Sequence, residues 1–144
     1  MKHVVLVATL VASLSAAAVV SGQTAPTTGS SLGSVTLSKR VMANGQALAA
    51  GTYQVRLSAD IAKAGVGQSP EAERYVEFVR GGKVVGREVA TVVSTADIAS
   101  IVKGPKPANG GSRVDTLKGD DYVRVWINRG GMNYIIHMPP AAAS

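Results

Sequence analysis

The sequence predicts a mainly β protein: an antiparallel β-sandwich of about seven strands with one short helix, or alternatively a small β-barrel. Apolar residues recur at every second position along several segments, which is the spacing of one face of a strand. Gly-Gly and Asn-Gly pairs separate those segments, and such pairs adopt the positive φ angles of tight hairpin turns. Apolar residues at helical spacing are confined to one stretch. The chain has no Cys, so the fold must be held by packing, and thiol chemistry and thiolate metal sites are excluded.

The first residues predict export. After the basic Lys2 comes an uncharged apolar run from Val4 to Val20, which ends in the small residues Ser21 and Gly22. This is the pattern of a secretory signal peptide over residues 1–22, with cleavage after Gly22 favoured over cleavage after Ala18. The run is shorter than the roughly 20 residues of a spanning helix, so no stable membrane span is expected after cleavage. The mature protein is therefore expected in the periplasm or outside the cell.

The rest of the chain divides into three parts. Residues 23–33 are rich in Ser, Thr and Gly and predict a flexible leader. Residues 34–138 predict the β-sandwich domain, and residues 139–144, which begin with two prolines, predict a flexible tail.

The first strands follow from alternation. Residues 34–37 and 39–43 predict one kinked strand, which Asn44-Gly45 closes with a type I′ turn. Residues 52–57 alternate cleanly and predict a strand with one wet face. Residues 74–80 and 83–93 flank Gly81-Gly82 and predict a hairpin. Within its second strand, Gly86 indicates a bulge or a close backbone approach.

The helix and the last hairpin complete the domain. Ile98, Ile101 and Val102 lie at helical spacing, between a capping Ser94 or Thr95 and the stop signal Gly104-Pro105, which predicts about two turns of helix or else a strand. Residues 58–73 and 104–112 are predicted loops. Residues 121–128 and 132–138 flank Arg129-Gly130-Gly131 and predict the second hairpin.

One segment resembles a known family. The residues VMANGQALAAGTYQV at 41–55 resemble the "L-P-A-G-T-Y-x-V" segment of small exported bacterial β-sandwich proteins and of transthyretin-like or carboxypeptidase-regulatory-like modules, with Ala49 in place of the usual Pro. The resemblance implies the fold and no activity. From the residues themselves, Leu48 is expected to fill the core, Gly51 to turn the chain, and Tyr53 to pack inward while its hydroxyl bonds a backbone group.

No catalytic, cofactor or metal site is predicted. His137 is the one histidine beyond the signal peptide, and no G-x-S-x-G motif accompanies it. Asp115, Asp120 and Asp121 lack the ordered spacing of a calcium loop and predict a solvated turn. Direct pairing about Gly81-Gly82 would make Glu77 and Glu88 diagonal neighbours, but the surrounding arginines favour ordinary cross-strand ion pairs.

Four residues form the candidate ligand face. Tyr122, Arg124 and Trp126 share one face of a strand, and Tyr134 is a candidate neighbour from the next strand. Such a face can stack sugars or dock proteins, although a lone Trp in a β domain is more often buried.

Charge and the absence of chemistry lead to the functional expectation. The net charge of +6 falls to +5 without Lys2, and the basic residues are scattered, which argues against a nucleic-acid partner. We expect a non-enzymatic exported protein that binds a glycan or protein of the cell envelope, without a cofactor. A self-associating structural subunit is the alternative and a hydrolase the third; the sequence does not determine the oligomeric state.

Overall fold

The computed structural model describes residues 29–60, 72–119 and 122–141. These residues contain nine strands and one helix. In chain order the elements are β1 (Ser31–Leu37), β2 (Val41–Ala43), β3 (Gln46–Leu48), β4 (Gly51–Leu57), β5 (Glu73–Arg80), β6 (Lys83–Ser94), α1 (Ile98–Ile101), β7 (Ser112–Thr116), β8 (Val123–Arg129) and β9 (Met132–Met138).

Seven of these strands form a single antiparallel sheet in the order β1-β4-β5-β6-β9-β8-β7. The sheet curls around one core until its two edge strands approach each other, and the Ser112 hydroxyl of β7 donates to the Ser34 carbonyl of β1 at 2.9 Å. The mainly β, antiparallel fold with one short helix is confirmed. A sheet that nearly closes on itself fits the predicted sandwich and the predicted small barrel alike.

The glycine-rich pairs form the turns that the sequence predicts. Gly81 and Gly82 join β5 to β6 with φ of 59° and 76°, and Asn44 and Gly45 join β2 to β3 with φ of 45° and 84°. Two successive positive φ angles define the type I′ turn, which matches the twist of the strands that it connects. The hairpin of β8 and β9 likewise turns at Arg129-Gly130-Gly131.

The β2–β3 hairpin forms a separate two-stranded sheet, so the prediction of one kinked strand over residues 34–43 is wrong. Strand β1 ends at Leu37. The β2–β3 hairpin lies beside the part of the sheet where β6 and β9 diverge and no longer pair. On one side, Met42 N–H donates to the Pro139 carbonyl at 2.8 Å. On the other side, Leu48 packs against Gly86 of β6.

The core lies inside the curled sheet and is built by alternation. In β4, the side chains of Tyr53, Val55 and Leu57 are buried, and the residues between them face outward. The Tyr53 hydroxyl donates to the Ala49 carbonyl at 2.6 Å, and its ring meets Phe78 edge to face. The expected burial of Leu48 and the expected anchoring of the Tyr53 hydroxyl are both confirmed.

The predicted domain boundaries need correction at both ends. β1 begins at Ser31 and Leu32 is fully buried, so the last residues of the predicted leader belong to the fold. Pro140 forms a β-bridge with Val41, and Ala141 N–H donates to the Arg40 carbonyl at 3.1 Å, so the predicted tail begins too early. The predicted signal peptide and residues 142–144 lie outside the described residues.

The helix is shorter than predicted. α1 makes a single turn: it begins after Asp97 and ends at Ile101, because Val102 already has extended backbone angles, with φ of −117° and ψ of 125°. Ile98 is buried, whereas Ile101, predicted to share its apolar face, is 60% exposed. β7 also lies where no strand was predicted.

Candidate functional site

The predicted ligand face is covered by the chain itself. Residues 95–111, which we call the strap, cross the outer face of the sheet and include α1. Ile98 and the half-buried Val102 of the strap pack on Trp126 and Ile135, and Trp126 is only 1% exposed. Trp126 therefore belongs to a second, smaller core on the outer face of the sheet. This agrees with the expectation that a lone Trp in a β domain is more often buried.

A buried amide completes this second core. The Trp126 indole Nε1–H donates to Asn133 Oδ1 at 2.8 Å, and the Asn133 side-chain amide donates to Thr95 Oγ1 at 3.2 Å and to the Val93 carbonyl at 3.4 Å. Asn133 is completely buried. Because a buried polar group is costly without partners, this arrangement holds the indole and the start of the strap together.

Tyr134 does not share the face of Trp126. The β8–β9 register pairs Tyr134 with Ile127 and Trp126 with Ile135, so Tyr134 points into the main core. The grouping of these four residues on one face is therefore wrong for Tyr134. Burial raises the pKa of the Tyr134 hydroxyl, with an opposing effect from the charge of Arg74.

The polar margin of the predicted face is an ion-pair cluster. Asp115 accepts hydrogen bonds from Arg113 Nε at 2.8 Å and from Arg124 Nη2 at 3.1 Å. Arg124 also donates to the Lys103 carbonyl of the strap and lies over the Trp126 ring, 5.6 Å from its centroid. The hydrogen bond from Arg113, with a smaller contribution from Arg124, lowers the pKa of Asp115. Asp115 belongs to β7 and does not lie in the predicted solvated turn.

Two exposed residues border this cluster. Tyr122 is 37% exposed, and His137 is exposed directly opposite Arg124 in the β8–β9 register. Partial desolvation and the nearby charge of Arg124 lower the pKa of His137. Asp120 and Asp121, the other carboxylates of the predicted turn, lie outside the described residues.

A concave surface lies between the β2–β3 hairpin and β6. This hairpin groove has a volume of about 430 Å³, toward the lower end of the range for small-ligand sites. Its lining combines amide, charged and aliphatic groups: Ala43, Asn44, Gln46, Glu77, Val84, Val85, Gly86 and Arg87. Val84 is 45% exposed, so the groove presents an apolar wall to solvent.

The sequence did not predict the hairpin groove, although Gly86 indicated this region. The β5–β6 register shifts between Phe78 and Val79, which leaves Val85 as the extra residue of a β-bulge. A Cβ atom at Gly86 would lie 2.8 Å from Leu48 Cδ2. The bulge and the close approach that Gly86 indicated are thus both present.

The same bulge separates the two candidate carboxylates. Glu77 pairs with Arg87, and Glu88 pairs with the core-facing Val76, so the carboxylates start on opposite faces of the ribbon and are not diagonal neighbours. Glu77 forms an ion pair with Arg56 at 2.9 Å. Glu88 accepts backbone hydrogen bonds from Asn44 at 2.7 Å and from Val89 at 2.8 Å. Both carboxylates are thus engaged in structural contacts, as the ion-pair interpretation expects of Glu77.

No group of three or more His, Cys, Asp or Glu within the described ranges could hold a metal ion. Among the same residues, no helix has the length and apolar character needed to cross a bilayer. Comparisons with protein-family models, with curated proteins and with solved structures found no match for this chain.

Proposed function

We propose that the protein is an exported, non-enzymatic binding protein that holds a component of the cell envelope, a glycan or a protein, in the hairpin groove. The observation that carries the proposal is the groove itself, a concave surface that combines side-chain amides, charged groups and the exposed Val84. Binding sites typically combine an apolar wall with a few polar groups in this way. The face around Trp126 is a weaker candidate, because the strap covers the indole.

The side chains that line the hairpin groove support binding in preference to catalysis. Glu77 is the one carboxylate of the groove lining and is paired with Arg56. Glycoside hydrolysis usually needs two carboxylates across one bond, and Glu88 starts on the opposite face of the ribbon. His137 is not among the groove residues. A hydrolase therefore remains the third alternative.

Export is tested directly by the N-terminus of the mature protein. In a bacterial host, we expect the protein to reach the periplasm or the medium with a mass that corresponds to cleavage after Gly22. Cell fractionation followed by intact-mass measurement gives both answers. A full-length protein that stays in the cytoplasm contradicts the proposal.

Binding is tested with two matched substitutions. Val84→Asp puts a charge into the apolar wall of the groove, and Ile101→Asp makes the same change at an exposed isoleucine on the strap. We expect immobilised protein to capture an envelope component, glycan or protein, from extract, and Val84→Asp to reduce capture at least tenfold. Ile101→Asp should leave capture unchanged. Equal capture by both variants, with both folded by circular dichroism, contradicts the assignment to the groove.

A self-associating structural subunit is the second candidate. The observation in its favour is that no strand ladder joins β1 to β7 within the described part of the chain, and that their facing edges meet through the bond from Ser112 to Ser34. Edges without a ladder partner can pair with another copy if they separate. Light scattering across a concentration series tests this alternative, and a strictly monomeric protein contradicts it.

A further inference from the structure

We propose that the hairpin groove binds an extended peptide, which adds as a short strand to the free edge of β6 at Arg87. This inference rests on the proposed function and narrows its ligand to a protein segment. The C-terminal part of β6, Thr91–Ser94, pairs with β9, whereas its N-terminal part has no strand partner on that side among the described residues. The groove lies along this unpaired edge.

The hydrogen-bond pattern shows which backbone groups point toward the groove. In an antiparallel ladder, directly opposed residues alternate between pairs that exchange hydrogen bonds and pairs that do not. Val92 N–H donates to the Ala72 carbonyl on the β5 side at 2.8 Å, so the even-numbered residues from 86 to 92 bond toward β5. Val89 and Arg87 therefore direct their backbone groups away from β5. Consistent with this, Tyr75 lies opposite Val89 and its carbonyl points toward β4. That carbonyl accepts a hydrogen bond from Ser58 N–H at 3.0 Å.

Glu88 closes one end of this edge. Its carboxylate accepts the Val89 N–H at 2.8 Å and the Asn44 N–H of the β2–β3 turn at 2.7 Å. It thereby takes the place that the carbonyl of a neighbouring strand would hold. Arg87 belongs to the groove lining, and no strand of the described chain pairs with its N–H and C=O on this side. Toward the start of β6, the bulge at Val85 limits regular pairing with an added strand.

The edge is thus short, and Arg87 provides one donor and one acceptor at the spacing of a strand. Val84 and the half-buried Val85 provide an apolar wall for an alternating side chain of the peptide. Unpaired edge groups beside a side-chain pocket are the features of recognition by strand addition.

The lining favours a peptide over a glycan. Sugars are commonly held by stacking on aromatic rings, and none of the eight lining residues is aromatic. Tyr75, the nearby aromatic residue of β5, is covered by the Arg87 guanidinium, whose carbon lies 4.6 Å from the ring centroid. The remaining features are the backbone groups of a strand edge, side-chain amides, aliphatic surface and the charged Glu77 and Arg87, a combination that a polypeptide can match.

The test uses the full protein and a blocked pentapeptide, acetyl-Thr-Val-Lys-Val-Thr-amide. The control is the same peptide N-methylated at its three central residues, which removes main-chain donors along both of its edges. We expect the unmodified peptide to slow amide hydrogen exchange at Arg87. We also expect N-methylation to weaken binding at least tenfold, the effect of about one backbone hydrogen bond.

Two substitutions at one position separate main-chain from side-chain recognition. Arg87→Ala keeps the backbone N–H and removes the side chain, which pairs with Asp60, so its affinity for the peptide serves as the reference. Arg87→Pro removes in addition the N–H on the side away from β5, where proline is tolerated in a strand, and should bind the peptide about tenfold more weakly than Arg87→Ala. If Arg87→Pro fails to fold, the exchange measurement on the unaltered protein decides the question.

Several results would overturn the inference. Equal binding of the N-methylated peptide overturns strand addition. A second result would overturn the inference while the proposed function stands: glycan fragments bind, Val84→Asp weakens that binding, and the peptide does not protect the Arg87 amide from exchange. Protection of Arg87 that grows with protein concentration in the absence of peptide assigns the edge to a second copy and also overturns it. If neither peptide nor envelope component binds, the inference and the proposed function both fail.

Discussion

The contact between Gly86 and Leu48 should decide how firmly the β2–β3 hairpin is held. A Cβ atom at Gly86 would lie 2.8 Å from Leu48 Cδ2, 3.3 Å from Cγ and 3.4 Å from Cδ1. Leu48 is only 2% exposed and belongs to the main core, so its side chain has little room to move away. Gly86 has no positive φ, so the backbone itself accepts Ala, and any loss of stability from Gly86→Ala comes from the clash.

The magnitude follows from two opposing effects. Overpacking a core contact costs about 1–3 kcal/mol, while Gly→Ala at a compatible position gains about 0.4–1 kcal/mol through the unfolded chain. We therefore expect Gly86→Ala to lower the free energy of unfolding by roughly 1–2 kcal/mol. Leu48→Ala alone should lower it by about 2–5 kcal/mol, because it leaves a cavity.

A double-mutant cycle isolates the contact. In the Leu48→Ala background the clash is absent, so adding Gly86→Ala should be neutral or slightly stabilising. The coupling energy between the two positions should then be about 1–3 kcal/mol, and the double variant should be more stable than the sum of the single changes predicts. Urea unfolding followed by the fluorescence of Trp126, the single tryptophan, measures all four proteins. Additivity to within about 0.5 kcal/mol would refute the reasoning.

Three further predictions concern stability. Asn133→Ala should lower the free energy of unfolding by about 1–3 kcal/mol, because it leaves the buried Trp126 N–H without an acceptor; a loss well below about 1 kcal/mol in urea unfolding contradicts this. The hydrogen bond from Arg113 lowers the pKa of Asp115. The ionised carboxylate therefore stabilises the fold at pH values above its ordinary pKa of about 4, and this stabilisation is lost as the pH falls through the lowered pKa. Asp115→Asn should therefore be less stable than the unaltered protein at pH 7 and lose less stability between pH 5 and pH 2; parallel pH profiles argue against it. Tyr53→Phe should cost about 1 kcal/mol through loss of the 2.6 Å hydrogen bond to the Ala49 carbonyl, with Tyr75→Phe, an outward-facing tyrosine, as the control with little effect.

The sequence predicted those parts of the fold that depend on neighbours in the chain. Gly81-Gly82 and Asn44-Gly45 carry their own turn preference, and β4 shows its buried face in the order of its residues. Gly86 also indicated its bulge, because an isolated glycine within a strand often marks a bulge or a close backbone approach. In each case the physical cause lies within a few residues of the signal.

The errors have non-local causes. Nothing near Trp126 in the chain indicates that Ile98 and Val102 will cover it, because the strap returns to the sheet from another strand. The face on which Tyr134 lies depends on the β8–β9 register. A shift of one residue moves every side chain of a strand to the opposite face of the sheet. The bulge at Val85 inverted the relation of Glu77 and Glu88 in the same way.

The hairpin groove was missed for a related reason. Asn44 and Gln46 reach β6 only because β6 and β9 diverge, and the length over which two strands stay paired is a property of the whole sheet. No residue of the groove carries a chemical signature in the sequence. The peptide binding that we propose for it depends on an edge of β6 left without a strand partner among the described residues.

The near-closure of the barrel at Ser34 and Ser112 also bears on how the protein folds. The hairpins β5–β6 and β8–β9 close short loops, whereas β1 and β7 meet across a sequence separation of 78 residues, and such distant contacts carry the largest loop-closure entropy. We therefore expect the β1–β7 contact to form after the rate-limiting step, so that Ser112→Ala speeds unfolding and leaves the refolding rate nearly unchanged. The same junction would then be the first part of the native protein to open.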